Sequence, residues 1–240
     1  MFALKFRMLM TACLVWACAG AAFAGSISGT VKFQGEAPPM RPIDMGTDPI
    51  CHAKHPGEPP VNEALILGEG QTMGNIYVRV IKGLPDGKTW PLPQEPAVLT
   101  QEGCVYKPHV FVVRLGQQLL VKNPDGTMHN VNGLPEKNKP WNRGMPKELQ
   151  EIEVKLDQVE DMFPIKCDVH PWMRAYCTVV DHPFFAVTEK DGKFTIEGLP
   201  AGDYTIEAWH EKLGTQTATV TVPADGAATQ DFTFEYKRKG

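Results

Sequence analysis

The 240-residue sequence has no excess of basic residues and no long apolar pattern of helical period. Its 24 Lys and Arg stand against 28 Asp and Glu, for a formal net charge of −4, so it has no basic surplus with which to bind nucleic acid. A mean hydropathy of −0.23 excludes a polytopic membrane protein. Because no stretch keeps an apolar period of 3.6 residues, a helical protein is also excluded.

The first 24 residues have the pattern of a secretory signal peptide. Lys5 and Arg7 form a charged start, residues 8–22 are apolar, and Ala22-Phe23-Ala24 is a small-x-small cleavage site. The apolar stretch is shorter than the ~20 residues that a membrane-spanning helix needs. We therefore expect cleavage near Ala24 and a periplasmic or secreted protein without a membrane span.

Short strands are the dominant pattern of the mature chain. The 21 Pro and 22 Gly are scattered among short runs of Val, Ile, Thr and Phe, a pattern typical of an all-β protein. Turns at this spacing in a chain of this size predict two β-sandwiches. Residues 36–60 are predicted to be irregular, and residues 138–147 are predicted to form a polar loop.

The C-terminal part resembles a known β-sandwich family. Residues 188–206 read Thr-Glu-Lys-Asp-Gly-Lys-Phe-Thr-Ile-Glu-Gly-Leu-Pro-Ala-Gly-Asp-Tyr-Thr-Ile, which is similar to the carboxypeptidase regulatory-like, or prealbumin-like, domain. That family usually opens with a strand like Ile-Ser-Gly-Thr-Val at 27–31, which here lies far away at the N-terminus. We expect residues 25–96 to pair with the C-terminal domain, 182–240, around an inserted domain, 97–181. Two consecutive domains preceded by an N-terminal arm are the alternative.

One heptapeptide carries the candidate chemistry. Cys167-Asp-Val-His170-Pro-Trp-Met173 places a thiolate, an imidazole and a thioether within seven residues, a ligand set that selects copper over hard cations. A second imidazole is required, and Met128-His129-Asn-Val supplies one after a strand and a turn. Two histidines, a cysteine and an axial methionine form an electron-transfer copper site.

Residues 97–181 resemble the cupredoxin family of blue copper proteins, and the Cys-x2-His-x2-Met spacing is most similar to its amicyanin branch. The resemblance implies one copper ion bound by His129, Cys167, His170 and Met173. It also implies that Asn130 ties the first-ligand strand to the Cys167 loop. Pro171 and Trp172 beside His170 lead us to expect its ring edge on an apolar surface, where a redox partner protein would dock.

The leading hypothesis is a periplasmic type 1 copper protein that carries single electrons, with the appended sandwich suggesting a larger assembly. Copper storage or delivery and a scaffold or adhesion protein with a secondary metal site are the alternatives. An enzyme is not expected, because the chain contains no His-x-His for further copper ligands and no haem-binding Cys-x-x-Cys-His.

Three cysteines of the mature chain lie outside the heptapeptide. Cys51 and Cys104 are the preferred disulfide pair, and Cys177, in an apolar strand, is expected to remain a free thiol. Histidines 52, 55 and 109 are either solvated residues or parts of a second metal site, and the sequence leaves this open.

Overall fold

The computed structural model describes residues 25–224 and 226–236. The predicted signal peptide lies outside these residues. The strands are β1 (Gly25–Gln34), β2 (Ile66–Leu67), β3 (Met73–Gly74), β4 (Tyr77–Lys82), β5 (Ala97–Gln101), β6 (Tyr106–Lys107), β7 (Val110–Arg114), β8 (Leu119–Lys122), β9 (His129–Gly133), β10 (Trp141–Met145), β11 (Glu151–Val154), β12 (Glu160–Lys166), β13 (Arg174–Val180), β14 (Phe185–Val187), β15 (Lys193–Leu199), β16 (Gly202–His210), β17 (Gly214–Val222), β18 (Ala227–Thr229) and β19 (Phe232–Glu235). A short helix, α1 (Pro49–Ala53), and a 3-10 turn at Glu69–Gln71 are the helical segments of the described residues.

The fold is all-β with two β-sandwiches, as the sequence predicted. One sandwich packs the sheet β10-β9-β12-β13-β7 against the sheet β11-β8-β5-β6. The other packs β15-β1-β18, with β19 also paired to β1, against β14-β4-β16-β17. Each encloses its own apolar core. Among the described residues, no helix has the length and apolarity to cross a membrane.

The N-terminal strands complete the C-terminal sandwich. Strand β1 pairs antiparallel with β15, and β4 pairs antiparallel with β16. β1 also runs parallel to β18 and then to β19, and Gly29 lies where the pairing changes. A Cβ at Gly29 would lie 1.8 Å from the carbonyl oxygen of Gln230, so only glycine fits this crossing. The hypothesis of a split sandwich requires that the N-terminal strands β1 and β4 pair with the C-terminal strands. The exact domain boundaries stay predictions.

Two segments differ from the sequence expectation. The predicted polar loop at 138–147 contains β10, which pairs with β9 and places Trp141 opposite Gly133. Strand β10 lies at the edge of its sheet with three exposed residues, and such a strand lacks the alternation by which buried strands are recognised. The predicted irregular segment 36–60 contains α1, whose N-cap is Asp48.

A buried carboxylate fixes the turn that leads into β10. Glu160, at the start of β12, accepts hydrogen bonds from the backbone amides of Lys137 and Asn138 at 2.7 and 2.8 Å. Burial by itself raises the pKa of Glu160, but these hydrogen bonds outweigh burial, so the pKa is lowered. The carboxylate therefore stays ionised and holds the turn.

Candidate metal centre

The ligand loop connects β12 to β13 at one end of the sandwich. Cys167 follows the last residue of β12, and Met173 precedes the first residue of β13. The amide of Cys167 donates to the carbonyl of Met173 at 3.2 Å, and the amide of Met173 donates to the carbonyl of His170 at 2.9 Å. These backbone hydrogen bonds close the loop. They keep the three predicted ligands of the heptapeptide in one compact turn.

His129 approaches the same turn from the neighbouring strand. It is the first residue of β9, which pairs antiparallel with β12 next to the loop. The Nδ1 atoms of His129 and His170 lie 2.9 Å apart, and the Sγ of Cys167 lies 3.8 Å from Nδ1 of His170. The ligand atoms of these three residues lie within 4.8 Å of one another. The structure thus brings the two predicted imidazole ligands and the thiolate ligand together around one point.

All four predicted ligands are buried. The exposed fractions are 0% for His129, 3% for Cys167, 2% for His170 and 1% for Met173. Cys167 and Met173 belong to the core of this sandwich. The packing of the core around them limits how far the ligand side chains can move.

The outer nitrogen of each imidazole faces a carboxylate. Nε2 of His129 lies 2.9 Å from Oδ2 of Asp125, and Nε2 of His170 lies 3.0 Å from Oδ2 of Asp48. An ionised carboxylate only accepts hydrogen bonds, so we assign the proton of each ring to Nε2. In the neutral rings both Nδ1 lone pairs then point into the same small space. Such convergence fits a bound cation, and the imidazole, thiolate and thioether donors fit copper.

Asp125 is held in its ionised form by several donors. It accepts from the amides of Gly103 and Cys104 at 2.8 and 2.7 Å, and Lys54 Nζ lies 3.0 Å from its Oδ1. Burial by itself raises the pKa of Asp125, but the hydrogen bonds from His129 and from these groups bring it well below its usual range. The pKa of Asp48 is also lowered, mainly by its hydrogen bond with His170.

The thiol of Cys167 is disposed to ionise. Burial raises its pKa, but the interaction with the His129 ring and nearby backbone amides, including that of His170, lowers it to about 7. The amide of His170 lies 3.4 Å from Sγ. A thiol with a lowered pKa yields the thiolate, the form that binds metals.

Asn130 links the first-ligand strand to the ligand loop. Its Oδ1 accepts from the amide of Asp168 at 2.6 Å and lies 3.3 Å from the Sγ of Cys167. Its Nδ2 donates to Asn142 on β10 and to the carboxylate of Asp168. One side chain therefore connects β9, β10 and the loop.

The expected exposure of the His170 ring edge is wrong. The segment that contains α1 covers this ring: Asp48 bonds to its Nε2, and Cys51 Sγ lies 3.6 Å from the same atom. The apolar neighbours Pro171 and Trp172 suggested an exposed edge, but the covering segment lies more than a hundred residues away in sequence. Trp172 Nε1 instead donates to the carbonyl of Cys104 at 2.9 Å.

The expected disulfide is present. Cys51 and Cys104 are bonded, with their Cα atoms 5.6 Å apart, and Cys177 is buried and free. Within residues 25–224 and 226–236, the three histidines left open by the sequence join no cluster of metal-ligating groups. His55 Nε2 lies 2.7 Å from the carbonyl of Gly103, and His109 lies between the carbonyl of Arg174 and the carboxylate of Glu211.

The two carboxylates behind the imidazoles were not predicted from the sequence. Asp125 had a weak signal, since it lies four residues before His129 in a turn next to a strand. Asp48 had none beyond its position three residues before Cys51, because the sequence does not show that this segment reaches the ligand loop.

Comparison with known proteins gives partial matches. No curated protein matches the sequence. Residues 175–235 match the model of the carboxypeptidase regulatory-like domain. Among solved structures, a Cu-containing nitrite reductase from Thermus scotoductus SA-01 is 14% identical with a TM-score of 0.34, over 42% of this chain and 26% of the reductase. The chain thus spans about a quarter of the length of that enzyme.

Two smaller proteins are matched over nearly their whole length. A purple cupredoxin from Nitrosopumilus maritimus is 18% identical with a TM-score of 0.29, over 35% of this chain and 98% of the cupredoxin. A Cu(I) form of an amicyanin variant is 16% identical with a TM-score of 0.31, over 42% of this chain and 97% of amicyanin. The comparisons thus find the carboxypeptidase regulatory-like domain and cupredoxins, and the sequence resembles both families.

Proposed function

We propose that this protein binds one copper ion through His129, Cys167, His170 and Met173 and transfers single electrons. The observation that carries the proposal is the convergence of two imidazole Nδ1 atoms and one thiol sulfur within 4.8 Å in a buried site. A bound copper ion would supply the one-electron couple. The protein would supply a site whose donors are already in place in both oxidation states.

Each part of the site has a defined task in this proposal. Asp125 and Asp48 hold the Nε2–H groups, so that both Nδ1 lone pairs face the ion. Asn130 anchors the loop that carries Cys167. Since the ligand atoms are held by strand ends and a hydrogen-bonded turn, little rearrangement would accompany a change of charge at the metal.

We infer a carrier rather than an enzyme. Four protein donors would close the coordination of the ion, whereas metal catalysis needs an open position for a substrate or water. The burial of all four ligands also supports retention of copper over its rapid delivery to another protein. A periplasmic or secreted location is supported by the buried disulfide, which forms in oxidising compartments.

The redox partner would dock at the end of the molecule that holds the ligand loop. Exposed apolar side chains there include Val169 in the loop and Ile50 on α1, which are 47% and 51% exposed. Because α1 covers His170, a partner would contact this helix as well as the loop. Such an encounter needs only a small interface.

The test is the visible and EPR spectrum of the protein from residue 25 onward, after copper addition and oxidation. We expect intense visible absorption from thiolate-to-copper charge transfer. Cys167→Ser should abolish this absorption, while Cys177→Ser, which changes the other free thiol, should retain it. A colourless wild-type protein, or colour that persists in Cys167→Ser, would contradict the proposal.

A further inference from the structure

We propose that Asp48 is a positioning residue of the copper site, which orients His170 and favours the oxidised form of the bound ion. The proposal rests on the function proposed above. It concerns a residue outside the heptapeptide and outside the domain predicted to hold the metal.

Both oxygens of the Asp48 carboxylate are used, and for different purposes. Oδ1 accepts from the amides of Ile50 and Cys51, each at 2.9 Å, and so caps the start of α1. Oδ2 lies 3.0 Å from Nε2 of His170. The helix cap therefore fixes the direction in which the second oxygen points, so the ring meets a carboxylate that is already in place.

Core residues on either side of Asp48 hold it against the ligand loop. Met45 is 2% exposed and packs in the core of the sandwich that contains the site, and its carbonyl accepts from the amide of Asp48 at 3.0 Å. Cys51 is bonded to Cys104. With anchors three residues away in each direction, the segment has little freedom to carry the carboxylate away from His170.

The same segment also supports the other imidazole. Lys54 lies 3.0 Å from Asp125, which bonds to His129. Residues 48–54 thus act on both histidines, through a carboxylate for one and through an ammonium–carboxylate pair for the other. Asp48 is the partner of Nε2 of His170, and Lys54 contacts Asp125, the partner of Nε2 of His129. A segment that served only as packing would not need both contacts.

The effect on the metal follows from charge. A carboxylate on Nε2–H makes the imidazole a stronger donor and places negative charge near the ion. That charge stabilises Cu(II) more than Cu(I), because the attraction grows with the charge of the ion. Removal of the Asp48 charge should therefore favour Cu(I) and raise the reduction potential.

Asp48→Asn and Asp44→Asn form a matched pair. Both remove one carboxylate charge from the same segment, but Asp44 is exposed and its side chain accepts from the amide of Gly46. For Asp48→Asn we expect the Cu(II)/Cu(I) equilibrium constant to shift about tenfold towards Cu(I), or about 59 mV for one electron. For Asp44→Asn we expect a shift of less than about threefold, as for a screened surface charge.

A second readout does not require copper. In the metal-free protein, nitrogen NMR reports the tautomer of His170, and we expect the Nε2–H form in the wild type and in Asp44→Asn. Asp48→Ala, which has no acceptor, should lose this preference. Asp48→Glu, which keeps the charge, should keep the potential near the wild-type value. If Asp48→Asn does not fold, the His170 tautomer in Asp48→Ala supplies the test.

The outcomes separate this inference from the function on which it rests. If the wild type shows thiolate-to-copper charge transfer but Asp48→Asn matches Asp44→Asn in potential, the role of Asp48 is overturned and the electron-transfer proposal stands. If the wild type shows no such absorption, the proposed function is overturned and the inference is overturned with it.

Discussion

Replacing both Cys51 and Cys104 by alanine measures how much their disulfide stabilises the protein. The bond joins residues 53 apart in sequence. In the chain-entropy model, closing a loop of this length removes about 14 cal/mol/K from the unfolded chain, or about 4 kcal/mol at 25 °C. Since domains of this kind are stable by about 5–15 kcal/mol, the double variant should lose a large part of its stability.

Urea unfolding of the metal-free protein, followed by tryptophan fluorescence, gives the free energy of unfolding by linear extrapolation. The control is Cys177→Ala, because this cysteine is buried, free and part of the same core. It measures the packing lost when one buried sulfur is removed. Twice the control loss, subtracted from the loss in the double variant, leaves the contribution of the cross-link.

A corrected loss below about 1 kcal/mol would contradict the predicted stabilisation by the disulfide. It would mean that the unfolded chain is already restricted near these residues, or that α1 is held by its other contacts alone. A corrected loss near 4 kcal/mol would agree with the chain-entropy model, in which the bond between α1 and the β5–β6 connection restricts the unfolded chain.

Three further changes test the site and the fold. Met173→Gln should retain copper and shift the reduction potential, and an unchanged potential would argue against an axial methionine. Glu160→Gln should lower the free energy of unfolding at pH 7 by on the order of 2 kcal/mol, with exposed Glu151→Gln as control. Because the pKa of Glu160 is lowered in the folded protein, its carboxylate stabilises the fold above the unfolded pKa of 4.5, and this stabilisation is lost as the pH falls through the folded pKa. The stability deficit of Glu160→Gln should therefore shrink in acid. A deficit that does not change with pH would contradict this role of Glu160. Ile50→Asp should slow electron exchange with a redox partner several-fold. The control is Val159→Asp, at an exposed residue that the length of β12 separates from Cys167, and it should leave the rate unchanged. Equal rates in the two variants would place the docking surface elsewhere.

Local patterns carried much of the prediction. The ligand spacing from Cys167 to Met173 lies within one turn, so the sequence itself brings these side chains close together. The short β-branched runs predicted the all-β class, because a strand with one buried face has a two-residue period wherever it lies. The preferred pairing of Cys51 with Cys104 was also confirmed. It could be predicted because few cysteines lay outside the heptapeptide.

Other features depended on contacts between distant parts of the chain. Strand β10 is defined by its pairing with β9, and its own residues show no buried face. The burial of His170 and its bond to Asp48 join residues 122 apart. No local pattern records such a contact, because it arises from the packing of a whole segment against a finished sandwich. Local sequence therefore identified the groups that could bind a metal. The carboxylates behind the two imidazoles and the segment that covers His170 depend on long-range packing.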